Sequence, residues 1–187
     1  MTKKAIVLLA DGFEDVEAVT PVDYLRRAGV EVTTVSVSQT LTVTSRWGGI
    51  KMTADTALTE FIAQGYDSFD AVILPGGIPG AHNLAASKET EELLRKMAAD
   101  GKLICAICAA PVVVLYPMGL LDGKNFTCYP GLEEKASSGK WLQDKVVIDG
   151  NIITSRSAGT AGLFSIAIIE KLLDEAAGKK IAETVLL

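Results

Sequence analysis

Histidine is almost missing from this chain, with His82 alone among 187 residues, and cysteine is scarce, with Cys105, Cys108 and Cys128 only. So small a stock of nitrogen and sulfur ligands makes a poor zinc set, and no metal is expected. Three cysteines are also too few for a disulfide framework. The C-x-x-C spacing of Cys105 and Cys108 fits a redox pair or half a metal site. The second half of such a site is missing, and free thiols in a reducing compartment, the cytoplasm, are the simpler account. Long apolar runs are lacking too, so no stretch reaches the roughly 18 residues of a membrane span. The lysines near the start precede an apolar run from Ala5 to Ala10. It stops at Asp11, which reads as a buried strand rather than a leader. There is no basic excess: the formal net charge is −5, and basic residues come as short pairs such as Lys3-Lys4 and Lys179-Lys180. That argues against nucleic-acid and membrane partners. Repeats, low-complexity stretches and linkers are absent, so residues 1–187 are expected to form one domain.

What is present is ordinary globular chemistry, with 49 % hydrophobic and 22 % charged residues. Strand-like and helical stretches alternate. Ala5–Leu9 reads as a strand buried on both faces, because its apolar run does not alternate with polar residues. A helix follows to about Ala28, closed by Gly29. Pro21 sits inside it, and Thr20-Pro21-Val22-Asp23 would itself start a helix, which predicts a kink or two half-helices. Val30–Val37 is a second strand, and Thr40–Met52 reads as short extended pieces around Gly48-Gly49. Ala71–Leu74 and Lys102–Ile107 are further buried strands. Lys88–Ala99 is a helix with Leu93, Leu94 and Met97 on one face. Another helix is expected from near Ala109. A hairpin is expected through Gly150-Asn151, then a final apolar helix over Gly162–Leu173. Alternating elements of this kind predict an α/β protein with a mostly parallel sheet covered on both sides.

Sites in such sheets form beyond the carboxyl ends of the strands. Three strand ends carry unusual residues: Asp11 to Glu17, Pro75-Gly76-Gly77, and Ala106-Ile107-Cys108-Ala109-Ala110-Pro111. Small residues around Cys108 permit a sharp strand-to-helix turn, a nucleophile elbow, and Pro111 fits a first helical turn. A thiol at such a helix start is expected to ionise more easily. The bland alternative is a cysteine acting as a small buried hydrophobe. Gly76-Gly77 is either a tight turn or a source of free backbone N–H groups for an oxyanion. His82, just after it, reads as a surface loop residue. Most of the acids after the first strand fit a helix start. Glu17, between Val16 and Ala18-Val19, is placed for burial, protonation and a hydrogen bond to a thiolate.

Taken together, these segments and Ile153-Thr154-Ser155-Arg156-Ser157-Ala158-Gly159-Thr160 resemble the DJ/ThiJ/PfpI superfamily, and its ThiJ-like, deglycase-containing branch in particular. The likeness runs from residue 3 essentially to the end. It implies a flavodoxin-like three-layer sandwich that forms a homodimer, with Cys108 at a strained elbow. It also implies a protonated Glu17 beside that cysteine and an oxyanion pocket drawing on Gly76 and on the N–H groups of Gly77 and Ala109. Arg46 matches an arginine that family dimers place near the partner's site. Two departures stand out. Tyr129 occupies the place where many relatives have a histidine, and Ala109 follows the cysteine where PfpI-type peptidases have one, so a cysteine–histidine protease is hard to assemble. Ala158 stands where close relatives carry proline.

The resemblance implies a cofactor-free, cysteine-dependent activity on reactive α-oxoaldehydes, of the glutathione-independent glyoxalase or protein deglycase type. Small reactive carbonyl compounds or glycated proteins would be the partners. The alternative is an oxidative-stress sensor or redox-regulated chaperone acting through oxidation of Cys108. Thiamine chemistry has no support, since no phosphate-cradling glycine loop is present.

Overall fold

A computed structural model describes residues 2–47 and 49–187. Within these, one seven-stranded sheet organises the chain. Its strands are β1 (Lys4–Leu9), β2 (Glu31–Ser36), β5 (Thr56–Ala57), β6 (Ala71–Leu74), β7 (Leu103–Ile107), β10 (Val146–Asp149) and β11 (Ile152–Ser155). The order across the sheet is β10-β11-β7-β6-β1-β2-β5. Every pairing is parallel except the β10–β11 hairpin. Two short antiparallel pieces, β3 (Thr42–Thr44) and β4 (Lys51–Thr53), form the flap expected around Gly48-Gly49. Gly48 itself lies outside the described residues. The pair β8 (Asn125–Phe126) and β9 (Lys140–Trp141) packs beside β10.

Because successive side chains of a strand face opposite ways, the apolar runs feed two separate cores. Ala5, Val7, Leu9, Ile73, Cys105 and Ile107 pack on one face. The helices covering that face are α1 (Asp15–Arg27), α5 (Ala161–Leu172) and α6 (Glu175–Thr184). Ile6, Leu8, Val72, Leu74, Ile104 and Ala106 pack on the other. There the cover is α2 (Leu58–Gln64), α3 (Gly80–Ala86) and α4 (Lys88–Ala99). The three-layer α/β sandwich is therefore a direct result of strands buried on both sides.

The helical expectations need four corrections. Pro21 lies inside α1, yet α1 is one uninterrupted helix from Asp15 to Arg27 rather than two halves. Its apolar side (Ala18, Pro21, Val22, Leu25) is buried on the sheet, and that packing outweighs the lost backbone bond. The segment after Cys108 is not a regular α-helix: Pro111–Leu115 is a π-helical turn and Tyr116–Met118 a 3₁₀ turn. Three consecutive β-branched valines and Pro117 disfavour an ordinary ladder there. His82 lies exposed on α3 rather than in a loop. The apolar helix α5 is not final, since α6 follows it, capped by Asp174.

Candidate active site

The carboxyl ends of β1, β6, β7 and β11 meet where the strand order changes direction, and the residues singled out beyond those ends converge there. Cys108 directly follows β7 with φ +63°, a left-handed conformation that costs a side-chain-bearing residue of order 1 kcal/mol or more. Two backbone bonds hold it: its N–H donates to the Ser155 carbonyl at 3.0 Å, and its carbonyl accepts from the Tyr129 N–H at 2.8 Å. The elbow is thus clamped by the chain on both sides. The thiol residue is 8 % exposed, at the base of a cavity of about 560 Å³.

Glu17 reaches the same place from the first turns of α1 and is 1 % exposed. Its Oε2 accepts a 2.9 Å bond from the Gly76 N–H. Its Oε1 has no well-formed partner among the described residues. Burial lifts the Glu17 carboxyl from 4.5 to about 7. The nearby Cys108 thiol and the Gly76 and Ala158 N–H groups pull it back, and Glu14 adds to the rise. Carboxyl and thiol thus lie close enough to shift one another's ionisation, although neither oxygen meets the sulfur in good hydrogen-bond geometry.

The thiol moves the opposite way from the expectation. Burial first, then the negative Glu17, push Cys108 up from 9.0 to about 12. The Gly77 and Ala109 N–H groups pull it down without prevailing. Two negative charges cannot share so dry a site, so above about pH 7 sulfur and carboxyl together hold one proton and one charge. That pair titrates as a unit.

Gly76 and Gly77 have different duties. A Cβ on Gly76 would fall 2.7 Å from both the Cys108 Cβ and the Glu17 Oε2, so only glycine fits between thiol and acid. Gly77 adopts φ +90°, and a Cβ there would strike the Gly12 carbonyl at 2.5 Å. The Gly77 and Ala109 N–H groups face the sulfur. Neither donates to another backbone carbonyl among the described residues.

Arg46, Trp47, Glu14, Ile78, Tyr129, Leu132, Ser157 and Ala158 complete the cavity wall. Arg46 lines the cavity of its own chain, and its guanidinium lies 4.3 Å from the centre of the Trp47 ring. Tyr129 also lines the cavity. Cys128, one residue earlier, is fully buried in the core on the opposite sheet face from Cys108, and all three cysteines are free. Among the described residues no group of acids, cysteines and histidine is arranged for a metal. Trp47 and Leu132 were not singled out in the sequence; the Pro130-Gly131 turn signal next to Leu132 was the available hint.

Comparison with known proteins bears on the fold and the family. A family model described as DJ-1/PfpI matches residues 3–171. "Protein DJ-1 homolog B" of Arabidopsis thaliana is 44 % identical over 174 residues, covering 92 % of this chain and 39 % of that protein. With a second Arabidopsis homologue covered to 47 %, the chain spans less than half the length of these two relatives. A Pyrococcus abyssi protein named as a deglycase is 32 % identical, with 83 % of this chain and 91 % of that protein covered. The oxidized form of Toxoplasma gondii DJ-1 superposes with a TM-score of 0.93 at 35 % identity, covering 99 % of this chain and 98 % of the other.

Proposed function

The chain belongs to the DJ-1/PfpI family, and from that premise we propose that it detoxifies reactive α-oxoaldehydes, free or attached to proteins, without a cofactor. The observation that carries this reading is the buried pair of Cys108 and Glu17, wedged across Gly76 at the base of an open cavity. The deglycase name of the Pyrococcus relative supports it. The sulfur attacks the aldehyde carbon as its proton passes to the Glu17 carboxylate, which overcomes the high intrinsic thiol pKa. The new oxyanion meets the Gly77 and Ala109 N–H groups and takes the proton from Glu17, giving a hemithioacetal. Glu17 then removes the hydrogen from that carbon and returns it to the neighbouring one through an enediol. Water cleaves the resulting thioester to a hydroxy acid and restores the thiol. The sum is substrate plus one water, with no external oxidant.

With methylglyoxal, wild type is expected to release lactate, and Cys108→Ala and Glu17→Gln none above background. Lactate formation that survives Cys108→Ala would overturn the mechanism.

A second reading has its own support. The same N–H groups and a protonated Glu17 suit a sulfinate on Cys108, and a relative is described in oxidized form. In that case peroxide adds two oxygens to Cys108, read by intact mass, and oxidation rather than turnover is the output. A cytoplasmic, reducing location fits three free thiols. The exposed Val16, Val19, Trp47 and Ile50 around α1 and the β3–β4 flap fit a second copy of the chain as partner.

A further inference from the structure

Between the end of β1 and the β3–β4 flap lies a carboxylate that the mechanism above leaves unused. Thr44 stands opposite Lys51 in the hairpin, and the next residue, Ser45, donates its N–H to the Ile50 carbonyl at 2.9 Å. Antiparallel bonds fall on every second pair, so the N–H and carbonyl of Thr44 turn away from β4. The loop after β1 takes both. The Thr44 carbonyl accepts from the Gly12 N–H at 2.7 Å, and the Thr44 N–H donates to Asp11 Oδ1 at 2.8 Å. A carboxylate thus stands in for the carbonyl that a third strand would supply. Its Oδ2 accepts from Ser38 Oγ at 3.2 Å, which ties in the turn after β2. Asp11 is itself fixed from α3, where Asn83 Nδ2 donates to the Asp11 carbonyl at 2.8 Å.

What the flap carries makes this attachment matter for the site. Beyond Thr44 the chain runs through Ser45 to Arg46 and Trp47, two residues of the cavity wall. The base of the flap is secured by Val43, fully buried in the core that α1 covers. Towards the tip, the Arg46 N–H donates to the Phe13 carbonyl at 3.0 Å. The same loop also presses on the opposite wall, since a Cβ on Gly77 would meet the Gly12 carbonyl at 2.5 Å. Residues 11–13 are therefore a spacer between the flap and the Gly76-Gly77 turn. The bonds they make set how far apart those two walls stand.

We propose that Asp11 is a positioning residue: its carboxylate, by holding the Thr44 N–H, keeps the flap closed on the cavity and so limits the size of what reaches Cys108. The proposal rests on Cys108 being the reacting group, as above, and needs neither an aldehyde nor turnover.

The test measures alkylation of Cys108 in the full chain by two neutral reagents with the same reactive ring, N-ethylmaleimide and the bulky N-pyrenylmaleimide, followed by mass of the Cys108 peptide. Wild type, Asp11→Ala and Asp11→Asn are compared, and intrinsic thiol reactivity cancels in the ratio of the two rates. Loss of a hydrogen bond to a charged acceptor favours local opening by roughly tenfold. In Asp11→Ala the rate with N-pyrenylmaleimide is therefore expected to rise about tenfold while that with N-ethylmaleimide holds. Asp11→Asn keeps an oxygen for the Thr44 N–H and is expected to stay within about twofold of wild type. A merely structural role would move both rates together. Hydrogen exchange at the Thr44 amide reads the same bond without the sulfur, and is expected to be slow in wild type and Asp11→Asn but fast in Asp11→Ala. A rate ratio unchanged in Asp11→Ala overturns the proposal, as does an Asp11→Asn that matches Asp11→Ala. Should Asp11→Ala not fold, a wild-type Thr44 amide that exchanges as fast as in an unfolded chain overturns it, and a protected one upholds it. Methylglyoxal that yields no lactate removes the turnover reading and leaves the Asp11 clasp standing.

Discussion

At the residue scale, Glu17 is a carboxyl that the fold keeps at a cost. The folded chain holds its proton more tightly than the unfolded chain, whose carboxyl titrates near 4.5. The penalty is small below that pH, grows as pH rises and is complete above about 7. Glu17→Gln keeps the shape and the bond from Gly76 but never ionises. Its stability advantage over wild type is therefore expected to grow by on the order of 2–3 kcal/mol between pH 5 and pH 8, read from urea midpoints. A gap that stays flat with pH would mean the carboxyl is not desolvated. The presence of Cys108, Glu17 and the two glycines at one site was legible in the sequence, because strand ends and small residues mark such places. The direction of the thiol's ionisation was not. It depends on burial and on a charge supplied by a helix 91 positions earlier in the chain, and neither has a local sequence signal.

At the element scale, strands and long amphipathic helices were readable, and Ala71–Leu74 and Lys88–Ala99 have the expected limits. The short helices α2 and α3 and the irregular turns after the elbow were not. Seven-residue helices show too little periodicity, and their stability comes from the sheet they cover. Helix α6 was hidden by Gly178 and the lysine pair Lys179-Lys180. In the structure Gly178 is buried so close to α5 that a Cβ there would meet Glu170. Asp174 begins the helix by accepting from the Ala177 N–H at 2.8 Å. Asp174→Ala is expected to cost about 1 kcal/mol in a urea melt while leaving the alkylation rate of Cys108 unchanged. A change in that rate would show that α6 supports the site as well as the core.

At the scale of the whole molecule, the mostly parallel sheet was legible from alternation alone, because strands buried on both faces announce themselves as unbroken apolar runs. Which surfaces stay open was not legible. Val16 and Val19 lie on the outward face of α1, 46 % and 48 % exposed, in the same turns that carry Glu17 inward. If a second copy covers that face, Val16→Glu with Val19→Glu is expected to convert a dimer to monomer in sedimentation, with the fold intact by circular dichroism. A wild type that sediments as a monomer at all concentrations removes the homodimer.

The glycine gap at position 76 has a consequence for how the protein comes into being. Thiol, wedge and acid belong to three segments far apart in the chain, and they meet only when β1, β6 and β7 lie side by side with α1 docked. A nascent or partly unfolded chain therefore carries an ordinary sulfhydryl with neither the Glu17 carboxyl nor the Gly77 and Ala109 N–H groups beside it. Any chemistry that needs all three together is withheld until assembly of the sheet is finished, and it disappears with the first cooperative opening of those strands.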